Sequence, residues 1–106
     1  ANMTRHAFHF GTAFVSSHWR GDTVSPDDKA QYREKVEKHF NAIVPENDLK
    51  WQPMEGDWGP NFAPEKTLQT LREMKNKGYF IRGHLLVWPG FEHTPNKYKS
   101  LHDKPE

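Results

Sequence analysis

The chain has 106 residues, 34% of them hydrophobic and 27% charged, with a net charge of +1. This length allows one domain at most. The apolar share lies below the roughly 45–50% usual for globular domains on a slightly broader definition, which predicts a thin core in which aromatic residues carry much of the apolar area. The near-neutral charge is scattered along the chain, which argues against a nucleic-acid partner. Since the chain contains no cysteine, disulfides and thiolate chemistry are excluded.

The sequence carries no visible export or membrane signal. It begins ANMTRHAFHF, without the apolar run of a signal peptide. The longest apolar run, over residues 85–88, is far too short to cross a bilayer. A processed secreted protein and a cytosolic protein would look the same, so the residues leave the compartment open.

The first predicted element is a strand over residues 7–15, in which Gly11 allows a close backbone approach. A loop is predicted over residues 16–24. His6, directly before this strand, and His9 are three positions apart in an extended segment, so they would project from opposite faces and could not share one metal ion. The residues therefore predict no metal site.

A helix is predicted to begin after Ser25 and to run to about Phe40. Serine is a good N-cap residue and Pro26 suits the first helical position. One face of this helix is apolar at four-residue spacing. The apolar positions are Tyr32, Val36 and Phe40.

The second half of the chain repeats this order of elements. An apolar run predicts a strand over residues 41–45, and two prolines and two glycines predict a loop over 52–61. A second helix is predicted over 64–77, ended by Gly78, and a third strand over 79–82. The apolar stripe of the second helix is predicted to consist of Leu68, Leu71 and Met74.

The predicted order is therefore β-α-β-α-β, which is typical of an α/β protein with a parallel sheet and right-handed crossovers. Two architectures fit: a small open sheet, or the start of a (β/α)8 TIM barrel, of which this chain would hold about three of eight units. The polar segment after Trp88 shows no helical period, and no regular structure is predicted there.

Two motifs place hydrogen-bonding side chains and a flat aromatic ring at the carboxyl end of a predicted strand, where barrel active sites are built. Donors, acceptors, a cation and rings that can stack on a pyranose are the chemistry of a sugar site. The motifs are Glu46-Asn47-Asp48-Leu49-Lys50-Trp51 and Arg82-Gly83-His84-Leu85-Leu86-Val87-Trp88.

Each motif also has a structural interpretation. Residues 46 and 47 could form a turn after Pro45, satisfied by local backbone, and Lys50 could be an ordinary surface lysine. His84 could be a structural histidine near the core. Trp88 could pack in the core rather than stack on a sugar.

Two further motif residues are predicted to have structural roles. Trp51 is interpreted as packing or loop support, since it follows Lys50 and would point elsewhere. Arg82 lies inside the third predicted strand, where a buried guanidinium needs a carboxylate or several carbonyls. It is interpreted as one half of an internal ion pair.

At these positions the chain resembles glycoside hydrolase family 10, the endo-β-1,4-xylanases, whose fold is a (β/α)8 barrel. The resemblance covers roughly residues 7–90. Besides the two motifs it is carried by Phe10-Gly11-Thr12-Ala13, Phe40-Asn41 and Ile43-Val44. The chain departs from the family at Pro89-Gly90-Phe91, where many members have a histidine after the Val-Trp pair.

The resemblance implies an enzyme that hydrolyses xylan with retention, without a cofactor or a metal, and that is secreted or periplasmic. It implies that Glu46, Asn47 and Lys50 bind xylose hydroxyls on the non-reducing side of the cleaved bond, and that His84 and Trp88 line the subsite where the bond is cut. The family's acid/base follows strand four and its nucleophile strand seven. Neither strand is expected within these 106 residues, so no catalytic residue is assigned.

The chain is accordingly interpreted as an N-terminal fragment of a xylanase, inactive alone, with xylan or a xylo-oligosaccharide and the remainder of the barrel as partners. The first alternative is a non-catalytic glycan-binding or split-barrel segment, which would bind oligosaccharide without releasing product. The second is a small open α/β domain with another ligand, for which no phosphate-binding loop is present. An incomplete barrel exposes sheet edges, so marginal stability, oligomerisation or aggregation is expected.

Overall fold

The computed structural model describes residues 8–101, and within them three parallel strands form one sheet in the order β1-β2-β3. The strands are β1 (Gly11–Phe14), β2 (Ala42–Pro45) and β3 (Phe80–Ile81). The helices are α1 (Ser16–Arg20), α2 (Pro26–His39), α3 (Trp51–Met54), α4 (Pro64–Asn76) and α5 (Asn96–Lys99), with 3-10 turns at Pro60–Phe62 and Phe91–His93. The predicted α/β class and the β-α-β-α-β order of the principal elements are confirmed.

The two long helices follow their sequence signals closely. The Asp28 amide donates to the Ser25 hydroxyl at 3.2 Å, so the predicted cap is present. α2 ends one residue before Phe40, and α4 ends one residue earlier than predicted. The strands are shorter than predicted, and Ala7, the first residue of the predicted β1, lies outside the described residues.

Three predictions of irregular structure were wrong. Residues 16–20 form α1, which has no side-chain cap at Val15 and therefore gave no start signal. The predicted loop over residues 52–61 contains most of α3 and a 3-10 turn. The segment after Trp88, predicted to be irregular, contains a 3-10 turn and α5. All of these elements have at most five residues, too few for a hydrophobic period to show.

One side of the sheet is covered by helices, and the core lies there. It consists of Phe14, Trp19, Val36, Ile43, Leu71 and Met74. Trp19 is fully buried, and its indole N–H donates to Glu73 Oε1 at 3.1 Å. The predicted place of Leu68 in this core was wrong, since its side chain is 43% exposed. The buried positions of α4 are Thr67, Thr70, Leu71 and Met74, so two threonines fill part of its inner face.

On the opposite side of the sheet, residues of β1 and β3 are exposed within residues 8–101, while Ala42 of the central strand is buried. Side chains alternate between the two faces of a strand, so Gly11, Ala13 and Phe80 lie opposite the core residues Phe14, Ile43 and Ile81. All three are exposed, Phe80 by 49%. We call this side the open face. A Cβ on Gly11 would lie 3.0 Å from the Ala42 Cβ, which confirms the close approach predicted there.

Asn41 fixes the amino-terminal end of the sheet. Its buried side chain donates to the Phe8 carbonyl and accepts from the Phe10 amide, both at 2.7 Å. The Asn41 carbonyl accepts from the Phe80 amide at 3.0 Å. One side chain and its backbone therefore tie β1 and β3 to β2. Within residues 8–101, none of the helices is long and apolar enough to cross a membrane.

Candidate functional site

The loop after β2 is anchored by a buried carboxylate. Asp48, only 3% exposed, accepts a short hydrogen bond from the Ser16 hydroxyl at the start of α1. The Glu46 amide donates to the Phe14 carbonyl at 2.8 Å, and the Lys50 amide donates to the Asn47 carbonyl at 3.0 Å. These bonds hold Glu46, Asn47 and Lys50 on one turn at the carboxyl end of β2.

Lys50 and Trp88, predicted from separate motifs, line the same cavity. We call this cavity the cleft. It is lined by Lys50, Trp51, Gln52, Trp58, Leu85, Trp88 and His93. The Trp88 ring is 40% exposed, and its edge-on contact with His93 has ring centres 5.4 Å apart. The cleft therefore combines an ammonium group, an amide and half-exposed indole faces at the carboxyl edge of the sheet.

His84 lies in a second depression beside the cleft. This depression is lined by Leu49, Trp51, Met54, Glu55, Gly83, His84, Leu85 and Leu86. It shares Trp51 and Leu85 with the cleft, so the two cavities adjoin, and His84 and Trp88 line different ones. Neither set of lining residues contains Glu46 or Asn47. Within residues 8–101 the five predicted sugar contacts are thus divided among the cleft, the depression and the β2 turn.

Trp51 and Arg82, the two motif residues with predicted structural roles, lie in different surroundings. Trp51 stacks on Tyr98, with ring centres 5.8 Å apart, which confirms its packing role. The expectation that it points away from Lys50 was wrong, since both side chains line the cleft. Arg82 is exposed, and no ion pair to it is formed among residues 8–101. The predicted buried ion pair was therefore wrong for the described chain. β3 ends before Arg82, which leaves the guanidinium in solvent.

Sequence reasoning missed Gln52, Trp58 and His93 as cleft residues. Gln52 and Trp58 stand in the region predicted to be a loop, and His93 stands in the segment predicted to be irregular. Trp58 is 37% exposed and meets Phe62 edge-on at 5.3 Å. The only signal for it was a tryptophan between two glycines, a residue too large and apolar to leave unassigned in a loop.

Tyr32 supports the site from the helix side. Its hydroxyl accepts from the Val15 amide at 2.8 Å, between β1 and α1. Burial raises the pKa of Tyr32, the hydrogen bond from Val15 opposes this shift, and the negative charges of Glu46 and Asp48 raise it further. The tyrosine therefore stays neutral and serves as a structural hydrogen-bonding group near the β2 turn.

The loop carboxylates have structural partners. Glu55 pairs with Lys97, and Asp57 accepts from the Asn96 amide at 2.8 Å. Glu92 lies 4.0 Å from His93. Among residues 8–101 no group of three or more histidine or acidic side chains is arranged to hold a metal ion, and His6 lies outside that range.

Comparison with known proteins gives a single family. The profile of Glycosyl hydrolase family 10 matches residues 1–105. An endo-1,4-beta-xylanase of Naganishia albida is 39% identical over 59 residues, covering 56% of this chain and 18% of the relative. A beta-1,4-xylanase of Dictyoglomus thermophilum is 35% identical over 95 residues, covering 76% of this chain and 24% of the relative.

A third relative has a different name. An anti-sigma-I factor of Acetivibrio thermocellus is 31% identical over 102 residues, covering 95% of this chain and 12% of the relative. The chain thus spans less than a quarter of the length of each of these three relatives. No solved structure matches the chain significantly. Because the family profile extends over nearly every residue, the chain belongs to glycosyl hydrolase family 10.

Proposed function

We propose that this chain is the N-terminal part of a retaining endo-1,4-β-xylanase and supplies sugar contacts on the glycone side of the cleaved bond. The observation that carries the proposal is the meeting of Lys50 and Trp88 in one cleft at the carboxyl edge of a parallel sheet. The two residues come from separate motifs and are 38 positions apart in the numbering, and they offer a hydrogen-bonding cation and a stacking surface to one sugar.

Each proposed contact follows from the chemistry of its side chain. Lys50 donates up to three hydrogen bonds, and the half-exposed face of Trp88 suits the C–H face of a xylose ring. Glu46 and Asn47 provide acceptors and donors for a pair of hydroxyls. His84 donates or accepts through either ring nitrogen. These groups bind and orient the sugar, and no proton or covalent step is assigned to them.

The remaining units of a (β/α)8 barrel would cover the open face and pair with the free edges of β1 and β3. In the double displacement of a retaining glycosidase, two carboxyl groups about 5–5.5 Å apart act as acid/base and nucleophile. By the family pattern these follow strands four and seven, so the 106-residue chain alone is expected to release no product from xylan. Secretion or a periplasmic location is proposed with this activity.

The test is xylohexaose binding and xylan hydrolysis by the native-length protein. We expect Trp88→Ala and Lys50→Ala each to weaken xylohexaose binding about tenfold, the equivalent of about 1.4 kcal/mol. Lys38→Ala, which removes an exposed lysine of α2, is the control and should bind normally. Wild-type protein that neither binds xylohexaose nor hydrolyses xylan would contradict the proposal.

A second candidate is a glycan-binding segment without hydrolysis. It is raised by a relative that matches 95% of this chain and whose name, an anti-sigma-I factor, is not that of a hydrolase. Both candidates predict the same loss of affinity in Trp88→Ala. They differ in product, because only the xylanase releases shorter xylo-oligosaccharides from xylohexaose during a long incubation.

A further inference from the structure

The stretch that leads from β3 to Trp88 has little packing of its own. Leu86 is 92% exposed and Val87 64% exposed, so neither side chain holds the backbone that carries Trp88. A side chain that is to meet a sugar must be held by its neighbours. The restraint on Trp88 must therefore come from elsewhere along the segment.

A set of contacts beyond Trp88 supplies this restraint, and we call it the clasp. The Asn96 amide at the start of α5 donates to Asp57 Oδ2 at 2.8 Å. Tyr98 stacks on Trp51 with ring centres 5.8 Å apart and planes 27° apart, and its hydroxyl donates to Glu55 at 3.4 Å. The clasp consists of Trp51, Glu55, Asp57, Asn96, Lys97 and Tyr98, with Lys97 paired to Glu55.

The clasp connects the two motifs that form the cleft. On one side it holds Trp51, which directly follows Lys50 and lines the cleft. On the other side it holds α5, three residues beyond His93. His93 in turn contacts the Trp88 ring edge-on at 5.4 Å. A displacement of α5 would therefore move His93 and change the position of Trp88 in the cleft that Lys50 also lines.

We infer that Asp57 and Tyr98 are positioning residues, which set the placement of Trp88 relative to Lys50 without touching the sugar. This inference rests on the proposed function, because it assigns the clasp to the same sugar cleft. The partners of both residues lie about forty positions away along the chain, so the contacts join separate segments rather than neighbours in sequence.

The experiment measures xylohexaose affinity of the native-length protein by calorimetry, at a temperature low enough that no product is released during the titration, together with kcat and KM on xylan and the thermal midpoint. Tyr98→Ala and Asp57→Ala are expected to weaken binding about threefold to tenfold and to raise KM with little change in kcat. Tyr98→Phe keeps the ring stack and Asp57→Asn keeps a side-chain acceptor, so both should bind nearly as the wild type does.

A double-mutant cycle separates positioning from general destabilisation. If the clasp acts through Trp88, Tyr98→Ala should cost little further affinity in a Trp88→Ala background. Glu34→Ala, at an exposed position of α2, is the matched surface control. Should Tyr98→Ala not fold, Asn96→Pro removes the donated N–H together with an exposed side chain, so Asn96→Ala, which keeps that N–H, is its control. Proline suits this first position of α5.

The outcomes distinguish the inference from the function on which it rests. Normal xylohexaose affinity in Tyr98→Ala, Asp57→Ala and Asn96→Pro, beside weakened affinity in Trp88→Ala, overturns the clasp and leaves the proposed function standing. Equal losses from Tyr98→Ala with and without Trp88 also overturn it. No binding by the wild type overturns both proposals, whereas the expected losses with a coupled cycle support both.

Discussion

The two faces of the sheet both carry large aromatic side chains, but these are buried on one face and exposed on the other. On the helix-covered face, Phe14 and Trp19 are fully buried with ring centres 5.7 Å apart. On the open face, Phe80 is 49% exposed, and its ring stacks on His9 with centres 4.2 Å apart. Large aromatic side chains are usually placed where they can be covered. The helix-covered face is therefore well packed within residues 8–101, whereas the open face leaves a large aromatic ring half exposed.

The carboxyl edge of the sheet belongs to neither face. The Asp48–Ser16 hydrogen bond connects the β2 turn to α1, which contributes Trp19 to the core. The cleft stands at the same edge with half-exposed tryptophans. The site is thus built on an anchored turn on one side and on the segment after β3 on the other.

The largest expected effect on stability comes from a core residue on the helix-covered face. Trp19→Ala should lower the free energy of unfolding by about 3–5 kcal/mol, because it leaves a cavity under α1 and removes the donor to Glu73. We expect the loss both in the 106-residue chain and in the native-length protein, measured by urea unfolding. A loss below about 1 kcal/mol in both would contradict the assignment of this face as the core.

The same truncation on the open face should depend on context. Phe80→Ala should change the unfolding free energy of the 106-residue chain by less than about 1 kcal/mol, as for exposed positions. In the native-length protein the loss should approach about 3 kcal/mol, because further barrel units would bury the ring. Equal small effects in both proteins would show that nothing covers this face.

The open face also predicts self-association of the chain alone. Free sheet edges and exposed aromatic rings favour pairing between copies. Phe80→Lys should shift the 106-residue chain toward the monomer in sedimentation experiments, while Gln31→Lys, an equal change of charge at an exposed position of α2, should not. A wild-type chain that is already a stable monomer would remove the reason for this prediction.

The buried anchor of the β2 turn should have an intermediate effect on stability. Ser16→Ala leaves the Asp48 carboxylate buried without its donor, which should lower the unfolding free energy by about 1–3 kcal/mol. Asp48→Asn, which keeps an acceptor oxygen, should cost less. Thr12→Ser, at a half-buried position whose hydroxyl bonds only to the neighbouring Ala13 carbonyl, is the control and should be nearly neutral.

The sequence predicted the long elements well and the short ones poorly, for physical reasons. α2 shows a serine cap, a proline and apolar residues at four-residue spacing, all of which are local signals. α1 depends on Trp19 reaching Glu73, a contact between residues 54 positions apart that no local pattern contains. The motif residues could be placed at strand ends, whereas Trp58 and His93 enter the cleft only through tertiary contacts.

The smallest expected effect is the pH dependence of the unfolding free energy that comes from two tyrosines on the helix-covered side of the sheet. Burial raises the pKa of Tyr32 and of Tyr79, with Glu37 adding to the shift at Tyr79. A folded-state pKa above the unfolded value of about 10 means that the folded protein holds these protons more tightly. The stability they contribute is fully present below pH 10 and is lost as pH rises through the raised folded values.

Measuring the unfolding free energy between pH 8 and pH 11, a range that includes the ordinary tyrosine pKa of about 10, tests this pH dependence. Tyr79→Phe should flatten the decline above pH 10, and Tyr32→Phe should flatten it while lowering the overall level, since the hydrogen bond from Val15 is lost. The slope of unfolding free energy against pH therefore reports the titration of the tyrosines. The value of that free energy below pH 10 reports the hydrogen bond from Val15. An unchanged slope in the double variant Tyr32→Phe/Tyr79→Phe would assign the decline to other titrating groups. It would also mean that burial on the helix-covered side raises the pKa of these two tyrosines less than expected.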